Sequence, residues 1–210
     1  GWCYLQTKDK VLVLLSENPN QTVSGQWLAN ELSMSRTAIW KAIQTLQNEG
    51  YEIESVPNAG YRLAKDIDFL HAELIRKKLH HQLDIRVLDS IDSTNEEAKR
   101  ILNSETKPEV DTVILANEQT KGKGRLGRYF HSPEQTGLYM SVAMPKISSE
   151  ADPTLLTTVA AVAACFAIEK LTDLKPQIKW VNDIFLDGKK ICGILTEGII
   201  NLETQKIESI

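Results

Sequence analysis

The sequence predicts an α+β protein of two domains: a winged helix-turn-helix over residues 1–66, then a mixed sheet flanked by helices over residues 67–210. Three observations predict it. Residues 7–63 carry three short helical stretches followed by strand, turn and strand. Beyond residue 84, short apolar strands alternate with helical stretches, the pattern of an α/β unit. Between the two, Ala64-Lys65-Asp66-Ile67-Asp68 reads as a short linker, without the Pro/Gly richness of a long flexible one.

Composition sets the outer bounds. The 210 residues, 42% apolar and 25% charged, suffice for a proper core. A net charge of −4 gives no global attraction to nucleic acid or acidic membranes. Cys3, Cys165 and Cys192 are widely spaced and form no zinc-like cluster, so they read as reduced thiols. No apolar run reaching 18 residues and no signal-peptide layout are found. The expected location is therefore the cytoplasm, with no membrane partner.

Each element has a local cause. Val11, Leu12, Leu14 and Leu15 recur at helical spacing over 7–17, and Asn18-Pro19-Asn20 breaks that helix. Ser24 can cap a second helix over 25–32, with Trp27, Leu28 and Leu32 expected to face inward. Ser35 caps a third over 36–48, whose stripe is Ile39, Ile43 and Leu46, and Gly50 suits the position just past its end. Strands over 51–56 and 61–63 flank the turn Pro57-Asn58-Ala59-Gly60. Two short helices joined by a tight turn, between Gly25 and Gln44, and then a hairpin describe a winged helix-turn-helix. The second helix of such a unit enters the major groove. Ser35, Arg36 and Thr37 are then the candidates for base edges and Lys41 for phosphate. A small dimerisation or capping domain without DNA contact is the bland alternative. Residues 1–66 carry six Lys/Arg against seven Asp/Glu, so the module would need dimerisation for affinity.

The second half is organised around the stretch 117–130. It follows the apolar strand 113–116 and carries Lys121, Lys123, Arg125 and Arg128 against the single acid Glu118. Gly122, Gly124 and Gly127 let its backbone bend and approach a ligand, and its cations suit phosphate. The spacing Gly122-x-Gly124-x-x-Gly127 copies the dinucleotide fingerprint, but Pro133 follows where a helix must start, and no strand-end acid comes about 20 residues later. A solvated basic loop without a ligand is the bland reading. Before it, 71–80 is a basic amphipathic helix, 85–88 a strand, and Ser93-Thr94-Asn95 opens a helix as caps or as ligand contacts. After it come a buried strand at 138–144 and a long Ala-rich helix over 153–170, expected in the core. Next is a strand over 178–186, turned by Asp187-Gly188-Lys189-Lys190 into a partner over 191–197. Gly193 suggests a close approach of ligand or backbone, and Lys179 would need an anion if buried. Residues 201–205 turn, and a last strand begins at Lys206 and is cut at Ile210, so a fragment of a longer protein is expected.

This order of motifs resembles the biotin protein ligase family, closest to its bifunctional ligase and biotin-operon repressor type, over about residues 7–210. The family loop Gly-Arg-Gly-Arg-x-Gly-Arg stands here as 122–128, and Lys-Trp-Pro-Asn-Asp as Lys179-Trp180-Val181-Asn182-Asp183. Lys123 replaces an arginine and loses the bidentate fork. Val181 replaces a proline, and Phe130 stands where some members carry tryptophan. The small SH3-like barrel that usually follows in the family is expected to lie outside these residues.

The resemblance implies a class II synthetase-like α/β catalytic domain, truncated at its C-terminal end. It implies that ATP and biotin, with Mg²⁺, give biotinyl-5'-AMP, and that a lysine of the biotin carboxyl carrier protein then attacks it. Lys179 and Arg125 would be catalytic. Ser93, Thr94, Asn95, Gln119, Gly122, Lys123, Gly124, Arg125, Lys179, Gly193 and Leu195 would bind biotin. Lys123, Arg125, Arg128, Phe130, Lys179 and Asn182 would bind ATP or the adenylate, with Asp183 as a metal ligand. Operator DNA and a ligand-promoted homodimer are the other implied partners, with biotinyl-AMP as corepressor. Two readings stay open beside this one: a non-catalytic ligand-sensing DNA-binding regulator, and a lipoate ligase on the same fold.

Overall fold

The computed structural model describes residues 5–64, 70–134, 136–147, 152–200 and 207–210. The linker from Lys65 to Asp68, the turn 201–205 and Cys3 lie outside the described residues. Contacts divide the chain into two compact units, Gly1–His80 and His81–Ile210.

In the first unit, α1 (Thr7–Ser16), α2 (Gly25–Glu31) and α3 (Arg36–Asn48) precede the antiparallel hairpin β1 (Ile53–Val56) and β2 (Gly60–Leu63). The serine caps form as expected. Ser24 accepts from the Trp27 N–H at 3.0 Å, and Ser35 accepts from the Ala38 N–H at 3.1 Å. Gly50 follows α3 at φ +94°, the left-handed exit that glycine permits. Val23 exchanges two 2.8 Å backbone bonds with Tyr61, lashing the chain before α2 to the wing. Leu12, Leu15, Leu28, Ile39, Ile43 and Leu46 fill one core. Trp27, expected inside, is 39% exposed, because Leu28 and Ala29 take the buried face of this short helix. Helix α4 (Ala72–Lys78) packs on α1 and groups with this unit.

The second unit starts with a three-stranded sheet in the order β3 (Asp84–Ile91), β4 (Thr112–Gln119), β5 (Tyr139–Ala143). β3 and β4 are parallel and joined through α5 (Thr94–Leu102), while β5 runs antiparallel to β4. Ala98, Ile101 and Leu102 pack against Ile114 and Ala143.

The single strand expected over 178–186 is instead two strands. β6 (Gln177–Lys179) turns through Trp180–Asn182 into antiparallel β7 (Asp183–Leu186), which pairs with β8 (Lys189–Gly193). Of the polar residues in that run, only Asn182 lies in the turn; Lys179 ends β6 and pairs with Asp183, which starts β7. The Asp187-Gly188 hairpin is as expected, with both residues at positive φ. A last pair, β9 (Ile199–Ile200) and β10 (Ile207–Ser209), is antiparallel, and Ile210 exchanges backbone bonds with Met144 just past β5.

Helix α6 (Pro153–Leu171) was expected in the core, and the structure overturns this. Only Thr157, Ala161 and Cys165 are buried, one residue per turn, because a single narrow stripe meets the β6–β8 sheet. Leu155, Phe166 and Leu171 are 61%, 66% and 83% exposed. By length and composition α6, with mean hydropathy 1.6, is apolar enough to cross a membrane, although Thr154, Thr157, Thr158, Glu169 and Lys170 interrupt its apolar run.

Ile43 is fully buried at the centre of the first core. Ile43→Ala should lower this unit's stability by about 3 kcal/mol in a urea titration. A loss below about 1 kcal/mol would mean that the three-helix core does not hold the unit.

Candidate functional site

The basic loop is a folded-back hairpin. Gln119 N–H donates to Ser132 O at 3.0 Å, Phe130 N–H to Gly122 O at 2.9 Å and Gly124 N–H to Arg128 O at 2.7 Å. A Cβ on Gly122 would stand 2.3 Å from Phe130 O and 2.7 Å from Ser132 Oγ, so only glycine permits this return. The tip is a 3₁₀ turn, Arg125–Gly127, in which Leu126 has φ 57° and is 91% exposed, a costly conformation for a bulky residue.

Beneath the loop lies a buried polar chain. The Thr94 N–H and Oγ1 both donate to Gln119 Oε1, at 2.8 and 3.1 Å. Gln119 Nε2 donates to Ser132 Oγ at 2.9 Å, and that hydroxyl donates to Phe130 O at 3.0 Å. On the other side, Ser141 Oγ lies 2.8 Å from Thr94 Oγ1 and 2.5 Å from Asn95 Oδ1. Asn95 Nδ2 reaches Glu197 Oε2 at 2.9 Å and Leu195 O at 3.2 Å. Thr94, Asn95, Gln119 and Leu195 thus join one connected constellation, with Gly122 close to Ser132. Ser93 remains a cap, though a long one, with Glu96 N–H at 3.5 Å.

Charged groups ring this chain. Glu96 accepts from Lys123 at 2.9 Å and Lys99 at 3.1 Å, and Lys99 also binds Glu197 at 2.8 Å. The hydrogen bond from Lys123, then that from Lys99, hold the Glu96 carboxyl below its ordinary range. Glu197 raises Lys99 in turn. Just before the helix, the Arg100 fork grips both oxygens of Asp92 and holds its carboxyl at about 2.

A pocket of about 180 Å³ opens beside the loop, lined by Arg125, Thr157, Val181, Asn182, Leu195 and Thr196 among others. Arg125 Nη1 donates to Asn182 Oδ1 at 3.0 Å, and Asn182 Nδ2 donates onward to Ile194 O at 3.3 Å. Loop and turn therefore meet at the pocket mouth. Lys179 does not join them. It is exposed, with its ammonium 5.3 Å from the Phe185 ring centroid. Arg128 is also exposed, and Phe130 meets the site through its backbone.

Lys190, read from sequence as a turn residue, extends Nζ to Asp183 Oδ1 at 2.7 Å. A Cβ on Gly193 would come within 3.1 Å of Lys190 Nζ, so the glycine makes room for this lysine. Sequence reading also missed Glu96, Ser132, Ser141 and Glu197. Serines and surface acids carry no motif signal, although Glu96 adjoins Ser93-Thr94-Asn95 and Glu197 closely follows Gly193. Among the described residues no group of three His, Cys, Asp or Glu could cage a metal. Asp183 alone fits only an ion that brings most of its ligands with it, as Mg²⁺ on a nucleotide does.

Residues 87–210 match the model of the biotin/lipoate A/B protein ligase family, and residues 7–62 match an HTH domain. The chain is 39% identical over 204 residues to the bifunctional ligase/repressor BirA of Bacillus subtilis (strain 168), covering 95% of this chain and 61% of that protein. To BirA of Escherichia coli (strain K12) it is 35% identical, covering 90% of this chain and 57% of that one. A biotin protein ligase from Aquifex aeolicus in complex with biotin and ATP is similar at 28% identity and TM-score 0.46, over 60% of this chain and 50% of that chain. The chain spans about three fifths of the length of the curated relatives it matches. With residues 87–210, more than half of its length, inside the family model, the chain belongs to the biotin/lipoate A/B protein ligase family.

Proposed function

We propose that the chain is the DNA-binding and adenylate-forming part of a cytoplasmic biotin protein ligase that also represses biotin genes. The observation that carries this reading is the meeting of the cationic loop and the Trp180–Asn182 turn, through Arg125 and Asn182, at the mouth of one pocket. Biotin's carboxylate attacks the α-phosphate of ATP, giving biotinyl-5'-AMP and pyrophosphate. A carrier-protein lysine then attacks the mixed anhydride, releasing AMP. Such chemistry needs positioning and charge neutralisation rather than a protein nucleophile. That demand suits a site whose titratable groups are mostly cations.

Arg125, Lys123 and Arg128 neutralise phosphate, with Phe130 and Asn182 beside the nucleotide. Ser93, Thr94, Asn95, Gln119, Gly122 and Gly124 shape the biotin end, and Gly193 and Leu195 form its floor. Asp183 is the residue that would hold a Mg²⁺ brought by the nucleotide, which would supply further charge neutralisation. Two lysines compete to bridge carboxylate and α-phosphate. The motif favours Lys179, while the contacts with Asp183 and Gly193 favour Lys190, and we give Lys190 the role. Operator DNA binds α3 through Ser35, Arg36, Thr37 and Lys41, in a homodimer that biotinyl-AMP promotes.

The first test is incubation with ATP, Mg²⁺ and either biotin or lipoate, followed by mass spectrometry of the acyl-adenylate. Biotinyl-adenylate is expected. Lipoyl-adenylate would move the chain to the other branch of the family, and neither product, in this chain and in a longer one, would favour a ligand sensor. Lys190→Ala should cut adenylate formation at least a hundredfold with the fold intact, and Lys179→Ala far less; the reverse order returns the role to Lys179. Arg36→Ala should weaken operator binding about tenfold without changing ligation, and unchanged DNA affinity would remove α3 as the reader.

Glu96 holds Lys123 at 2.9 Å. With its folded pKa lowered, the pair is intact above the ordinary carboxylate range and is lost only as pH falls through the lowered value. At neutral pH an adenylate must therefore compete for Lys123. Glu96→Gln should tighten adenylate binding by up to about fivefold in calorimetry; weaker binding would mean that Glu96 orients the lysine instead.

A further inference from the structure

Helix α3 buries Ile39, Ala42, Ile43 and Leu46 and turns its opposite face to solvent. That face holds Arg36, Thr37, Trp40 and Lys41, all exposed. Trp40 is 52% exposed, a large apolar surface to leave in water. It stands four residues after Arg36 and three after Thr37, so all three share one helix face. At 1.5 Å per residue it lies about 6 Å further along the axis than Arg36, close to two base-pair steps.

The charge around it favours a polyanion. No acid occurs from Arg36 to Asn48. Among the described residues Arg36 and Lys41 have no ion-pair partner, whereas Lys8, Arg62 and Lys77 are each held by an acid, Glu49, Glu54 and Glu17. Two free cations are a small electrostatic footprint for a DNA reader. Apolar contact has to supply part of the affinity, and in the major groove the apolar group on base edges is the thymine C5-methyl.

We infer that Trp40 is a specificity-determining residue of the DNA interface, reading a thymine methyl about two base pairs from the base read by Arg36. The inference rests on the DNA-binding reading of α3 and adds to it a base and a contact type. Wet hydrogen-bond readout by Ser35, Arg36 and Thr37 then specifies one side of the half-site, and dry contact by Trp40 the other.

The test is to enrich duplexes from a random pool with the whole chain, in the presence of biotin, ATP and Mg²⁺, and measure affinities by fluorescence anisotropy. Thymines of the enriched duplex are then replaced by uracil one at a time, which removes only the methyl. One uracil per half-site should weaken wild-type binding about fourfold. Trp40→Ala should bind the thymine duplex about tenfold more weakly and should no longer distinguish uracil from thymine at that position. Its salt dependence should match wild type, because no charge is removed, whereas Arg36→Ala should lower the salt slope by about one. Thermal unfolding of Trp40→Ala should be unchanged, and Trp40→Phe should restore part of the discrimination. Absence of any uracil-sensitive position, or a uracil penalty that persists in Trp40→Ala, overturns the inference alone. If wild type enriches no duplex, the DNA-binding reading itself falls, and this inference with it.

Discussion

The second unit depends on the side-chain amide of Gln119. It sits at the end of β4, only 8% exposed, where an unsatisfied amide is expensive. Its oxygen receives both Thr94 donors and its nitrogen binds Ser132. One residue therefore fixes the start of α5, the end of a central strand and the return of the basic loop. Ser141 and Asn95 extend the chain to β5 and to residues 195–197. A polar network this complete sets one geometry, because any shift leaves a buried donor or acceptor without a partner.

Around that fixed centre the charges are arranged for exchange. Lys123 rests on Glu96 and Arg125 on Asn182. Both contacts are exposed, and exposed pairs contribute little. A ligand phosphate can take over such cations at small cost, while the buried amide chain stays in place. Rigid floor and releasable cations are a division of labour suited to reversible binding of an anionic ligand.

Helix α6 stands apart from this economy of contacts. Its apolar residues surround the whole helix, yet only Thr157, Ala161 and Cys165 on it are buried. Composition made it a core helix on paper. Burial depends on what lies opposite, and a three-stranded β6–β8 sheet covers only one side.

Local signals in the sequence determined the first unit almost completely. The serine caps, the apolar stripe of α3 and Gly50 act within a few residues of themselves, so helices and wing follow from neighbours in the chain. The glycine- and cation-rich loop, Ser93-Thr94-Asn95 and the Asn182-Asp183 pair were legible for the same reason, as dense short motifs. Tertiary structure decided what depended on distant partners. It split 178–186 at Trp180–Asn182, left Trp27 and most of α6 exposed, and brought the ammonium of Lys190 rather than that of Lys179 onto the Asp183 carboxylate and over Gly193. It also recruited Glu96, Ser132, Ser141 and Glu197, whose roles exist only because strands far apart in sequence lie side by side. Hydrogen bonds and ion pairs act over about 3 Å in space, and no periodicity along the chain encodes which residues the fold will bring that close.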